Sequence, residues 1–414
     1  MVVADRALGV SAIDNNITTV YCGAPYFKAL RSFSQTALRQ NAYIQIQQRR
    51  LVDARCHADA MQCWDKMHLS NHLFTPPTRP FAELHHVSKK KILVSRAIFP
   101  DILAQLEALF DVESNQADII FSVEELRQKV ADKEGLMVTS SEGIDAAVIA
   151  AAPRLKVISN IAVGYNNIAV AAATEAGVMV TNTPDVLNQT TADMGWALIM
   201  ATARRITESE QWLRAGHWKK WTLDGFVGAD VHGSTLGIIG MGRIGQEIAR
   251  RSTGFDMQVL YHNRSRLTPE LEARANNAVW ASKEDVLRRA DHLILVLPYS
   301  AQSHHTIGAA ELAMMKPTAT LVNIARGGIV DDVALIAALR ERRIAGAGID
   351  VFENEPAFHP DFLTLSNVVL TPHIGSATEA TRRAMANRAA DNLIAALSGQ
   401  TPRDLLNPTS IPRA

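Results

Sequence analysis

The sequence predicts an α/β protein of two lobes, each a parallel sheet covered by helices, with a cleft between them and an irregular N-terminal extension. Three observations predict it. Short apolar runs alternate with helix-spaced segments from Lys91 onward. The apolar run Leu236, Ile238 and Ile239 ends on Gly240-Met-Gly-Arg-Ile-Gly245 and passes into helical sequence from Gln246 to Arg251. The three cysteines, Cys22, Cys56 and Cys63, all fall before residue 64, which sets the first part of the chain apart.

The bulk numbers narrow the function classes. A chain of 414 residues has room for two or three domains. Lys plus Arg and Asp plus Glu stand at 42 each, so no basic excess points to nucleic acid and no charge block suggests an interaction tail. No apolar run reaches the roughly 18 to 20 residues a membrane span needs. No secretory leader is visible either, which reads as a cytoplasmic protein. The cysteines lack metal-ligand spacing, so neither a metal site nor a disulfide framework is expected.

Residues 1 to 89 lack sustained periodicity. Gln45 to Gln48, Arg49-Arg50 and Pro76-Pro77 interrupt it, and the segment reads as disordered or as sequence upstream of the true start, with local helix around residues 24 to 48. The first lobe then runs over residues 90–187. Its strands are expected at Lys91–Ser95, Asp118–Phe121, Gly135–Thr139, Lys156–Asn160 and Val178–Asn182. Its helices are expected at 99–109, 122–133 and 143–152, and 160–167 is a turn-rich loop. The second lobe, 188–374, begins with a long helical run over 188–215, broken in the middle. A loop with Trp218 and Trp221 follows over 216–234, long enough to be functional or to meet a partner. Strands are then expected at 235–239, 259–261, 292–297, 320–324, 346–351 and 368–371. A closing helix over 377–397 returns to the first lobe, completing it with residues 375–408, and the proline-bearing end reads as a tail.

The glycine loop carries the first chemical signal. Its first glycine permits a tight strand-to-helix turn, its second a close approach of a pyrophosphate, and its third close packing of helix on strand. Such loops often serve only as turns, but here strand, loop and helix occur in the required order. Gly240, Gly242, Arg243, Ile244 and Gly245 are therefore candidate dinucleotide ligands in a Rossmann-like lobe. An NAD site would place an acid on the ribose hydroxyls about 20 residues on. This chain instead reads Tyr261-His262-Asn263-Arg264-Ser265-Arg266. Loss of the acid and gain of two arginines favours NADP(H) over NAD(H), with Asn263, Arg264, Ser265 and Arg266 around the 2′-phosphate.

Three polar residues follow three expected strands: Arg326, Glu355 and His373. Ligands of open α/β sheets bind beyond the carboxyl ends of strands, so the three can converge on one pocket. Arginine clamps a carboxylate, histidine moves a proton at neutral pH, and glutamate favours the imidazolium. Each alone is more often structural, and His217, His232 and His304-His305 are left at that reading.

From about Lys90 to Pro408 the chain resembles the D-isomer-specific 2-hydroxyacid dehydrogenases. The resemblance rests on Gly240 to Gly245, Val322-Asn-Ile-Ala-Arg-Gly327, Gly348-Ile-Asp-Val-Phe-Glu-Asn-Glu-Pro356 and Pro372-His-Ile-Gly-Ser376. Residues 161–167, Ala203-Arg-Arg205 and Tyr261 to Arg266 are most similar to the glyoxylate/hydroxypyruvate reductase branch, also called 2-ketogluconate reductase, which favours NADPH. The resemblance implies that Arg326 binds and polarises a 2-oxo acid, His373 donates the proton, and Glu355 orients His373. It also implies that the backbone at Val163 and Gly164 holds the substrate carboxylate, while Ile324, Ala325, Asp350 and Gly375 border the nicotinamide. Members are usually dimers through the nucleotide-binding lobe. Trp221 resembles a residue that some push into the neighbouring subunit's pocket; a loop anchor is the alternative. The short tail argues against a long-type phosphoglycerate dehydrogenase, and Glu355 against formate dehydrogenases, which pair their histidine with glutamine. A short phosphoglycerate dehydrogenase and a nicotinamide-sensing scaffold of corepressor type stay open.

Overall fold

A computed structural model describes residues 88–408. The expectations for residues 1–87, including the helix around 24–48, lie outside the described residues.

The first sheet has five parallel strands: β1 (Lys91–Val94), β2 (Asp111–Ser114), β3 (Gly135–Val138), β4 (Val157–Asn160) and β5 (Met179–Thr181), in the order β2-β1-β3-β4-β5. Its central strands are buried on both faces, as parallel sheets require. Leu93, Leu136, Val138 and Ile158 pack against α2 (Val123–Val130), α3 (Ala146–Ala150) and α4 (Val170–Glu175). Ile92, Val94, Met137 and Val157 face the other way, toward α1 (Pro100–Leu109) and the last helix, α12 (Glu379–Leu397). The small residues Ala386, Ala389 and Ala390 let α12 lie close on the sheet.

Two expectations are corrected here. Residues 118–121 are not a strand; β2 lies upstream at Asp111–Ser114. As an edge strand β2 pairs with β1 alone and carries no apolar run. The apolar residues Ile119 and Ile120 are exposed, in a loop that Asn115 pins through both the carbonyl and the N–H of Ile119. The chain end is not a free tail as far as Pro408. Leu405 bridges Thr181, Leu406 N–H donates to Val180, and Asn407 accepts from Val180 N–H at 2.8 Å while donating to Val178. Arg388 pairs with Asp404 to fix the approach.

The second sheet has seven parallel strands: β6 (Thr235–Ile239), β7 (Gln258–His262), β8 (Val279–Trp280), β9 (His292–Leu295), β10 (Thr320–Asn323), β11 (Gly346–Ile349) and β12 (Val368–Leu370). Their order is β12-β11-β10-β9-β6-β7-β8, so the chain reverses direction across the sheet between β6 and β9. That Rossmann-like switch point is where the glycine loop emerges. The helices between these strands are α7 (Arg243–Arg251), α8 (Pro269–Arg274), α9 (Lys283–Arg289), α10 (Ala309–Met314) and α11 (Asp332–Arg340).

The long helical run is broken where expected, into α5 (Asn188–Ala203) and α6 (Ile206–Arg214). Arg205 adopts left-handed backbone (φ 53°), and its guanidinium binds Glu208 at 2.8 and 2.9 Å. Residues 216–234 hold no strand or helix. No helix among the described residues is long and apolar enough to cross a membrane.

Candidate active site

The glycine loop shows what each glycine is for. Gly240 has φ +101°, and a Cβ there would lie 2.6 Å from Leu297 N, two residues past the end of β9. At Gly245 a Cβ would meet Gly240 O at 2.4 Å, so the helix could not pack on the turn. A Cβ at Gly242 would meet nothing within 4 Å, leaving open space before the N-terminus of α7. The first N–H groups of α7 have no intrahelical acceptor. Open backbone at a helix N-terminus fits a pyrophosphate.

The residues after β7 divide into two kinds. Asn263 is turned back onto the glycine loop, accepting from Met241 N–H at 2.7 Å and donating to Met241 O. Arg266 forms a paired ion contact with Glu272 at 2.8 Å. Arg266 and the Tyr261 hydroxyl together hold the Glu272 carboxyl at about 2. Burial and the bond to Glu272 raise the Tyr261 phenol to about 12. Arg264 and Ser265 are exposed and make no hydrogen bond or ion pair among the described residues. Arg243 pairs with Asp185 of the lobe connection at 3.1 Å.

Arg326, Glu355 and His373 follow β10, β11 and β12, three neighbouring strands. Glu355 Oε2 accepts from His373 Nδ1 at 2.7 Å, and Glu355 Oε1 from Phe352 N–H at 2.7 Å. A carboxylate only accepts, so Nδ1 carries the proton and Nε2 is the free ring nitrogen. Burial pushes the Glu355 pKa up, but the His373 bond and charge, Phe352 N–H and Arg326 outweigh it and hold the group below its ordinary value. His373 itself has φ +52°, a strained setting for a non-glycine residue worth about 1 kcal/mol or more. Its N–H donates to Asp350 O at 2.9 Å. The buried Asp350 side chain gathers the same segment, accepting from Thr371 Oγ1 and from Ile374 and Gly375 N–H. Burial raises the Asp350 pKa despite these bonds.

Arg326 reaches the first lobe. Its Nε donates to Asn166 Oδ1 at 3.3 Å, and a Cβ on Gly164 would fall 2.0 Å from its Nη2. The guanidinium thus lies directly on the Gly164 backbone. Burial pushes its pKa down and Glu355 pushes it back up. Gly327 lets the Arg326 and Glu355 loops touch, since a Cβ there would overlap Phe352 O at 1.7 Å.

These three strand-end residues and the Val163–Gly164 loop thus come together. Ile324 and Ala325 are buried beside Arg326. Trp221 does not join them: it is 73% exposed and makes no ring or hydrogen-bond contact among the described residues.

The comparisons with known proteins accord with this geometry. Residues 196–375 match the model of the D-isomer specific 2-hydroxyacid dehydrogenase NAD-binding domain. The chain is 49% identical over 323 residues to a glyoxylate reductase of Thermococcus onnurineus, covering 77% of this chain and 96% of the relative. The chain belongs to the D-isomer-specific 2-hydroxyacid dehydrogenases. It is therefore an oxidoreductase acting on a CH–OH group, with an NAD-binding domain. A glyoxylate reductase of Pyrococcus furiosus is 46% identical over the same shares. Among solved structures, an NADPH-dependent glyoxylate/hydroxypyruvate reductase from Sinorhizobium meliloti, in complex with NADP and malonate, superposes with TM-score 0.69 at 33% identity. That match covers 79% of this chain and 99% of the other.

Sequence reasoning about this dehydrogenase passed over its asparagines. Asn160 donates to Gly164 O at 2.9 Å, Asn182 to Val163 O at 2.8 Å, and Asn167 to the carbonyls of Thr139 and Glu142. Their bare positions carry no signal, because an asparagine after a strand is usually a turn residue. His304 and His305, left as structural, stack at 3.8 Å. His305 Nε2 lies 2.6 Å from Glu353 Oε1, tying the 298–306 loop to the Glu355 segment.

Proposed function

We propose that this protein reduces a small 2-oxo acid (glyoxylate, hydroxypyruvate or 2-ketogluconate) to the D-2-hydroxy acid, with NADPH preferred over NADH. The observation that carries the reading is the His373–Glu355 pair at 2.7 Å, facing a site whose other wall is Arg326 laid on Gly164. An imidazole with its Nδ1 fixed by a carboxylate and its Nε2 free is arranged to pass one proton. A guanidinium beside a loop with unpartnered backbone N–H groups is arranged to hold a 2-oxo carboxylate and its carbonyl.

When bound, the nicotinamide supplies the hydride. As negative charge grows on the carbonyl oxygen, Arg326 stabilises it and His373 Nε2 delivers the proton, while Glu355 holds the resulting tautomer. Gly240, Gly242, Arg243, Ile244 and Gly245 would hold the pyrophosphate. Ile324, Ala325, Asp350 and Gly375 would border the nicotinamide. The NADPH preference is supported by the lack of an acid after β7 and by the exposed, unpaired Arg264 with Ser265. Arg266 stands beside them, with its guanidinium already paired to Glu272.

We also assign a homodimer, with a second copy over the exposed apolar residues Trp212, Leu213, Trp218, Trp221 and Leu223. Trp221 then serves the partner's site rather than its own.

The test follows NADPH and NADH oxidation with the three 2-oxo acids in parallel. Turnover with NADPH well above NADH is expected. In Arg264→Ala, loss of a charge-assisted contact weakens NADPH roughly ten-fold and leaves NADH unchanged. A folded, NADPH-binding protein without turnover on any of them would instead make the chain a nicotinamide-sensing scaffold.

A further inference from the structure

The loop after β4 has a regular pattern of bonded carbonyls. Ala162 O accepts from Thr183 N–H at 2.9 Å, Val163 O from Asn182 Nδ2 at 2.8 Å, and Gly164 O from Asn160 Nδ2 at 2.9 Å. These three carbonyls belong to the same peptide units as the N–H groups of Val163, Gly164 and Tyr165. In a trans peptide the C=O and N–H point in opposite directions. Each N–H is therefore turned away from the group that holds its carbonyl. Consistently, none of the three N–H groups has a hydrogen-bond partner among the described residues.

The groups holding the carbonyls lie inside the first lobe: Asn160 is 0% exposed, Asn182 7% and Thr183 0%. The Arg326 guanidinium lies against Gly164 of the same loop. Asn160 Oδ1 is buried and has no hydrogen-bond partner among the described residues, so the side chain is held through its Nδ2 alone.

We propose that Asn160 and Asn182 are positioning residues. Their amides hold the Val163 and Gly164 carbonyls so that the Val163, Gly164 and Tyr165 N–H groups form a preformed anion nest for a substrate carboxylate, beside the Arg326 guanidinium. The inference rests on the 2-oxo acid reading and extends it in two ways. It adds Tyr165 N–H to the donors expected from Val163 and Gly164, and it names the side chains that hold them in place. A nest of fixed backbone dipoles costs no reorganisation when the anion arrives, so it acts on binding rather than on proton transfer.

The experiment uses the full chain and oxalate, a small carboxylate probe, with binding read by calorimetry in the presence of NADPH. Asn182→Ala and the isosteric Asn160→Asp are compared with wild type. Both variants are expected to weaken oxalate and raise KM for glyoxylate by roughly ten-fold or more, with kcat changed by less than about three-fold and NADPH affinity unchanged. A fall in kcat at constant KM, or a lowered melting temperature with oxalate affinity intact, overturns the proposal. Should Asn160→Asp fail to fold, Asn182→Ala decides alone. Wild type that binds oxalate without reducing any 2-oxo acid leaves the nest standing and removes the reductase reading. Wild type that binds no oxalate removes the nest.

Discussion

The strand ends of the two sheets meet at one site and are built on different principles. Beyond β10, β11 and β12 stand Arg326, Glu355 and His373, which carry charge or change it. At the end of β4 stands Asn160, and beyond β4 and β5 stand Asn167 and Asn182; these carry no charge and fix backbone carbonyls. The difference teaches a division of labour. The seven-stranded sheet supplies charged and titratable groups, which the proposed reaction would use. The five-stranded sheet supplies oriented dipoles, indifferent to pH, which the proposed nest would turn toward an anion.

If that division is real, substitutions on the charged side fall first on kcat. The largest effect is expected for His373→Ala, which removes the proposed proton donor and should lower kcat about 10²- to 10⁴-fold with little change in NADPH binding. Near-normal steady-state turnover would break the comparison at its centre. The contact between the two sides is sharpened by Gly164→Ala. The new methyl group would overlap Arg326 Nη2, the mobile end of a long side chain, so the fold should survive and the guanidinium should move. The melting temperature is expected to stay within a few degrees while kcat/KM drops roughly ten-fold. A variant with full activity would show that Arg326 does not work from this position.

The smallest effect is a pH dependence. The Glu355 pKa is depressed on folding, so its contribution to stability is fully present above the unfolded carboxyl value and lost as pH falls through the folded one. Glu355→Gln lacks that contribution. The stability gap between the two proteins should be open near neutral pH and close as pH falls through the depressed Glu355 value, as read from urea midpoints. Asn182→Ala, on the uncharged side, should show a gap that pH leaves unchanged. A pH-dependent gap there would erase the distinction between the two sides.

Much of this molecule was written locally. Alternating short apolar runs and helical segments determined the α/β class and most strand positions, because each pattern is complete within about ten residues. The order of Gly240, Gly242 and Gly245 after β6, and of Arg326, Glu355 and His373 after their strands, was equally legible, since strand ends are where such sheets collect ligands. Tertiary structure decided what depends on partners far away in the chain. The edge strand β2 exists because β1 offers it hydrogen bonds, not because Asp111–Ser114 looks like a strand. The end of the chain docks because Asn407 meets Val180 across 227 residues. Arg266 is engaged by Glu272, and Asn182 finds the Val163 carbonyl, only once the loops are folded. Periodicity and turn chemistry are properties of neighbouring residues; the partner of a polar side chain is a property of the whole fold, because only packing determines which donor meets which acceptor.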